Sequence, residues 1–162
     1  MTYLSSHQAS WAEDYLTIRR AILAIEGLTI RLDHIGSTAI EGLMAKPCID
    51  VLGQVSSLSH LNPAIPLIKQ LGFTCRGAYG IAGRIYFSRA TETKCHLHVF
   101  ATGHPAIEQH LNFVRVMSHA PEKIKEFNQL KQRLQQRYPN DKQAYQRAKA
   151  GFYQQLDRCK IQ

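Results

Sequence analysis

The stretch His34-Ile-Gly-Ser-Thr-Ala-Ile-Glu-Gly-Leu-Met-Ala-Lys-Pro-Cys-Ile-Asp-Val-Leu52 decides the fold. It opens inside a strand-like run, Thr29 to Ile35, which places Ile30, Leu32 and His34 on one face. Gly36 and Ser37 follow at once, with no bulky side chain to shield the backbone. Thr38 to Leu43 has room for one short helical turn, which Gly42 can relax. Pro47 bars a helix from continuing, and Cys48 to Leu52 reads as a short buried strand. Asp50 is the anomaly in that apolar run, because an ionised carboxylate there is costly unless a cation or donors meet it. A Gly-Ser turn between two strands offers backbone N–H groups and a hydroxyl to phosphate oxygens. A carboxylate on the second strand can hold a divalent cation that neutralises them.

Upstream, Ser10 with Glu13 has the form of a capping box. Trp11, Tyr15, Ile18, Ile22 and Ile25 then make one apolar stripe of a helix that ends at Gly27. Downstream, Ser56 to Asn62 reads as a loop, and Asn62-Pro63 as the N-cap and first position of a second helix closed by Gly72. Phe73 to Arg76 can form a strand. The glycines of Gly77-Ala-Tyr-Gly-Ile-Ala-Gly83 are spaced G-x-x-G-x-x-G, which is not the dinucleotide fingerprint, and the segment reads as a mobile turn over the site. Arg84 to Arg89 and Cys95 to Phe100 pair as a hairpin around Ala90 to Lys94. Helices follow from Pro105 to His119 and from Pro121 to Tyr138. The stripe of the second is Ile124, Phe127, Leu130 and Leu134. Asp141 begins a last helix bearing Tyr145, Ala148, Phe152 and Leu156. A helix, a mixed sheet with one crossover helix and a helical C-terminal half make an α+β fold, expected as one unit over residues 1–162.

Length and composition agree with that reading: 162 residues, 44% hydrophobic and 20% charged, suit one soluble domain with a proper core. There is no apolar run near the length of a membrane span and no basic-then-apolar leader, so no membrane is expected and a cytoplasmic protein is. Cys48, Cys75, Cys95 and Cys159 are scattered without a C-x-x-C pair, which argues against structural zinc and for free thiols. The net charge of +8 is uneven, with ten Lys or Arg against four Asp or Glu from Pro121 onward. That surplus reads as a solvated helical surface. With no recognition motif present, no specific nucleic acid is expected.

The Gly36-Ser37 turn followed by Asp50 resembles the signature of the nucleotidyltransferase superfamily. That superfamily places a second acidic residue two positions later, where this chain has Leu52, and the departure weakens a two-metal mechanism. His34-Ile-Gly-Ser-Thr-Ala39, Ala45-Lys46-Pro47 and Ile49-Asp50 resemble the GrpB family, a branch of the same fold. So do Leu71-Gly72-Phe73, Gly83-Arg84-x-Tyr86-Phe87, His96-Leu-His-Val-Phe100 and Tyr145-x-x-x-Lys149-x-x-Phe152. The resemblance runs along nearly the whole chain. It implies a nucleotidyltransferase-like mixed β-sheet flanked by helices, with the strand of His96 and His98 beside that of Asp50. Where relatives carry a Phe-Arg-Asp-Tyr-Leu-Arg-like segment, this chain has Phe113-Val-Arg-Val-Met-Ser118.

The resemblance also implies ligands: a nucleotide or other phosphorylated small molecule, and a divalent metal. The metal would be Mg or Mn, or a transition metal if the histidines ligate. Asp50 is then a metal carboxylate, against the alternative that it pairs with Lys46 or Arg84 to hold the fold. His96 and His98 share a strand face, as ligands, as acid–base groups, or simply as the lining of a cleft. Imidazole is a poor Mg²⁺ ligand, so they argue against two-Mg²⁺ chemistry. Gly36 and Ser37 are candidates to cradle phosphate, with Lys46, Arg84 and Lys149 as contacts to it, while His34 holds the turn in shape. Three readings stay open: a nucleotidyltransferase acting on a small acceptor, a phosphate-binding module without turnover, and a weakly RNA-associated scaffold.

Overall fold

In the computed structural model, which describes residues 4–91 and 93–158, five strands form one mixed sheet. They are β1 (Arg31–Ile35), β2 (Ile49–Val55), β3 (Thr74–Cys75), β4 (Arg84–Arg89) and β5 (Cys95–Ala101), in the order β1-β2-β5-β4-β3. Only β2 and β5 pair in parallel; β1 with β2, β4 with β5, and β3 with β4 are antiparallel. A parallel pair needs a long connection between its strands. Here it contains a 3₁₀ segment, Leu58–Ala64, the short helix α2 (Ile65–Gln70), and then β3 and β4.

Strand alternation sorts the residues onto two layers. Ile49, Val51 and Val55 of β2, with Cys95, Leu97 and Val99 of β5, bury against α1 (Ser10–Leu23) and α2 through Trp11, Ile18, Ile22 and Ile68. The opposite face carries Asp50 and Leu52 beside His96, His98 and Phe100. It looks toward α3 (Pro105–Ser118), α4 (Pro121–Arg137) and α5 (Lys142–Asp157). Leu52, in the place of the expected second carboxylate, is fully buried with Ile35, Phe100 and Ile107. The three helices share an aromatic core in which Phe127 stacks on Phe152 at 4.1 Å, with Phe113 edge-on to Phe127 at 6.2 Å.

Several local expectations are corrected. Ser10 lies inside α1, Ala9 is the N-cap without a side-chain hydrogen bond, and the capping box does not form. Residues 58–62 belong to the 3₁₀ segment rather than to a loop, because Ser57 caps that segment by accepting from the Ser59 N–H; Asn62 and Pro63 lie inside it, and Ala64 is the N-cap of α2. In α4 the buried row is Phe127, Lys131 and Leu134, with Leu130 only partly buried. In α5 Ala148 is exposed, and it is Lys149 that turns inward. Cys48, Cys75 and Cys95 are free, and Cys159 lies outside the described residues. Among the described residues no helix is long and apolar enough to cross a membrane.

Candidate functional site

The site begins where β1 ends. Gly36 has φ 73° and opens a one-turn 3₁₀ segment, Ser37–Ala39. A β-carbon at Gly36 would lie 2.9 Å from Asp50 Oδ2, so both the left-handed backbone and the close approach of the carboxylate demand glycine. His34 points to the other layer, where its ring stacks on Tyr15 at 4.7 Å and its Nε2 lies 2.9 Å from Thr38 Oγ1. Burial pushes its pKa down to about 4, so a neutral imidazole ties the turn to the strand before it.

Parallel pairing puts Asp50 in register with His96. Asp50 Oδ1 lies 3.2 Å from His98 Nε2 and 3.4 Å from His96 Nδ1. The ion-pair partners of Asp50 are thus the two histidines, not Lys46 or Arg84. Burial alone would raise the Asp50 carboxyl, but the hydrogen bonds from His96 and His98 outweigh it and hold the group well below the usual carboxylate range. The hydrogen bond that His96 donates to Asp50 is in turn the main reason that the His96 pKa rises to about 9. One ligand atom each from Asp50, His96 and His98 falls within 4.8 Å of the others, a spacing that a single metal ion can span.

Arg84 stands behind this group. Its Nη1 lies 3.3 Å from His98 Nδ1, and a donor at Nδ1 leaves His98 with its N–H at Nε2, aimed at Asp50. The rest of the guanidinium is occupied, with Nη2 donating to the Tyr79 carbonyl at 2.8 Å and Nε to the Ala78 carbonyl at 3.2 Å. Arg84 therefore staples the Gly77–Gly83 segment.

Across from Asp50, α4 contributes a residue that strand and turn motifs do not reveal. Lys131 is only 2% exposed, and its Nζ donates to Ser37 Oγ at 2.7 Å and to the Met44 carbonyl at 2.8 Å. Among the described residues no carboxylate pairs with it. Burial first, and the charge of Lys149 second, push its pKa down to about 7. Lys149 sits over the rings of Tyr145 and Tyr153, at 5.2 and 5.8 Å.

These groups line a cleft of about 270 Å³ that brings together Gly36, Ser37, Lys46, Asp50, His96 and Lys149, with Lys131 and Lys142 added. His98 lines an adjoining cavity of about 380 Å³, which shares Gly36, Asp50 and Tyr153 as its common wall. Arg84 lines neither. A signal for Lys131 does exist in the sequence. It lies four residues after Phe127 and three before Leu134, a cation on an apolar row. His110, 5.6 Å from the His98 ring, has no such signal; burial, then the charge of His98, push its pKa down to about 4.

The GrpB family model, described as GrpB protein, matches residues 2–158, and the chain belongs to that family. It is 34% identical over 141 residues to the UPF0157 protein YqkA of Bacillus subtilis, covering 86% of this chain and 41% of that relative. The UPF0157 protein SCO7215 of Streptomyces coelicolor is 33% identical over 110 residues, covering 68% and 58%. The chain thus spans between two-fifths and three-fifths of these two relatives. It covers 92% of the glutamate-rich protein GrpB of Alkalihalophilus pseudofirmus, at 29% identity and over 94% of its own length. The crystal structure of the conserved protein GrpB from Enterococcus faecalis superposes with a TM-score of 0.88 at 25% identity, over 96% of this chain and 94% of that one. The Cid1 poly(U) polymerase bound to MgATP superposes at 0.58 with 11% identity, over 88% and 50%, a likeness of fold alone. The fold is nucleotidyltransferase-like.

Proposed function

We propose that this GrpB-family chain binds a nucleotide or another phosphorylated small molecule in the lysine-lined cleft beside Asp50, and catalyses metal-dependent nucleotidyl or phosphoryl transfer. One observation carries the reading. Lys131 is a buried ammonium without a carboxylate partner, directed at the hydroxyl of the Gly36-Ser37 turn, in the same cleft as Asp50 and His96. A buried cation is unfavourable until an anion meets it, and phosphate oxygens entering beside Ser37 supply that anion.

The donor set fits a divalent metal. Asp50 and His96 present oxygen and nitrogen donors on neighbouring strands, and His98 joins them if Arg84 turns away from its Nδ1. One carboxylate with imidazoles suits Mn²⁺ or Zn²⁺ better than Mg²⁺. Such an ion, when bound, neutralises phosphate charge. Lys131 and Lys149 hold the phosphates as point charges, and the Gly36 turn lets the backbone approach them. The Cid1 poly(U) polymerase, which shares the fold, was solved bound to MgATP, and that supports a nucleotide as the class of ligand. Leu52 favours a second reading, in which the chain binds the same ligand without turning it over, because the position of a second metal carboxylate is filled by a buried side chain.

The test is calorimetric titration of ATP with Mn²⁺, Zn²⁺ or Mg²⁺, alongside an assay for released pyrophosphate. Asp50→Asn keeps an acceptor but loses the charge. It should fold with a stability change of about 1 kcal/mol, since the amide oxygen still accepts from the largely buried His98 and solvent screens the pair with His96, which is 40% exposed. It should lose at least tenfold in metal-dependent affinity. Binding without pyrophosphate release selects the second reading. Wild-type protein that binds ATP with none of the three metals overturns both.

A further inference from the structure

The two cavities that meet at Asp50 differ sharply in charge. The cleft on the Ser37 side is lined by Lys46, Lys131, Lys142 and Lys149. The cavity on the His98 side is lined, among the described residues, by no lysine or arginine. Its polar side chains are Asp50, Asp157, Gln109, His98, His110 and Tyr153, set among apolar side chains such as Ile35 and Phe113. Asp157 is also the last residue of α5, so the negative end of that helix dipole adds to the potential there. Arg84, the cation whose charge reaches His110, has its donors committed to His98 and to the carbonyls of Ala78 and Tyr79.

A polyanion is favoured in the first space and repelled from the second. We infer that the cavity between α3 and α5 is a second ligand subsite, the place of the acceptor, and that it takes a small unphosphorylated molecule bearing amine or hydroxyl groups. At about 380 Å³ it has the volume for one sugar-sized ligand. Asp157 receives the ammonium and Gln109 pairs with hydroxyls. The shared wall of Gly36, Asp50 and Tyr153 brings this ligand against whatever occupies the lysine side. The inference rests on the reading of that lysine-lined cleft as the phosphate side.

Three sugars on one frame separate the outcomes: glucosamine as cation, glucose as neutral probe and glucose 6-phosphate as anion. Each is titrated calorimetrically into the full chain, alone and with pyrophosphate already bound. Glucosamine should bind the pyrophosphate-loaded protein, glucose should bind more weakly, and glucose 6-phosphate should compete with pyrophosphate instead. Asp157→Asn, at an exposed helix end, should weaken glucosamine about tenfold and leave pyrophosphate unchanged; Gln109→Ala should weaken glucose and glucosamine alike. The inference is overturned if glucosamine displaces pyrophosphate, if the two variants bind glucosamine as the wild type does, or if no sugar binds. Failure of pyrophosphate itself to bind overturns the phosphate reading, and glucosamine titrated alone against wild type and Asp157→Asn then decides the cavity separately.

Discussion

Lys131 occupies a core position with a charge, and the consequences are measurable. Its pKa of about 7 in the folded chain lies below the ordinary 10.5 of the unfolded chain. Between those values the unfolded chain holds a proton that the folded chain lacks, so this residue makes stability rise with pH through that window. His96 acts with the opposite sign. Its raised pKa gives a contribution complete below 6.5 and lost as pH climbs through about 9. Urea denaturation of wild type and Lys131→Met at several pH values separates the two, since only the lysine slope disappears in the variant. Lys131→Met should be the more stable form near pH 6.5, where the wild-type ammonium is buried and charged. Gly36→Ala tests the residue opposite. A left-handed alanine whose β-carbon lies 2.9 Å from Asp50 Oδ2 must displace the carboxylate. A loss of about 1–3 kcal/mol in the same denaturation assay is expected, along with weaker metal binding.

Among the elements, the Gly77–Gly83 segment departs furthest from a simple reading of its composition. Its glycines predict a mobile turn, yet the buried Arg84 side chain grips two of its carbonyls and lies over Tyr86 at 4.7 Å. Tyr79 is held there at φ 47°, a left-handed conformation unusual for an aromatic residue, and stacks on Tyr86 at 5.2 Å. Arg84→Met should remove the staple, accelerate amide exchange across residues 77–83 and cost on the order of 2 kcal/mol. Arg84→Lys should not restore protection, because one ammonium cannot reproduce the guanidinium fork. Exchange monitored by mass spectrometry decides both points; unchanged protection in Arg84→Met would mean that the glycines and the tyrosine stack hold the segment unaided.

At the scale of the molecule, the basic surplus after Pro121 divides into two populations. Lys131, Lys142 and Lys149 line the cleft, while residues such as Arg133 and Arg147 face solvent. Affinity for RNA should accordingly be weak and indifferent to sequence, falling roughly tenfold or more between 50 and 200 mM salt, because it rests on counterion release from a few outward cations. A filter-binding titration that finds tight, salt-insensitive binding would contradict this. The α+β architecture was legible in the sequence because strand and helix periodicities are local, and the run from His34 to Leu52 carries its own turn and its own carboxylate in an apolar strand. That His96 and His98 share a face was legible too, since alternation sets it, while the place of their strand beside that of Asp50 came from the family resemblance. The partner of Ser37 was not. Lys131 lies 94 positions away, on a helix whose periodicity shows which residues form one row but not what that row meets. Which lysines reach Asp50's cleft, and that Asp50 divides a basic space from an acidic one, was decided only when α4 and α5 packed across the sheet. Contacts between residues distant in the chain depend on that packing, and local spacing carries no record of it.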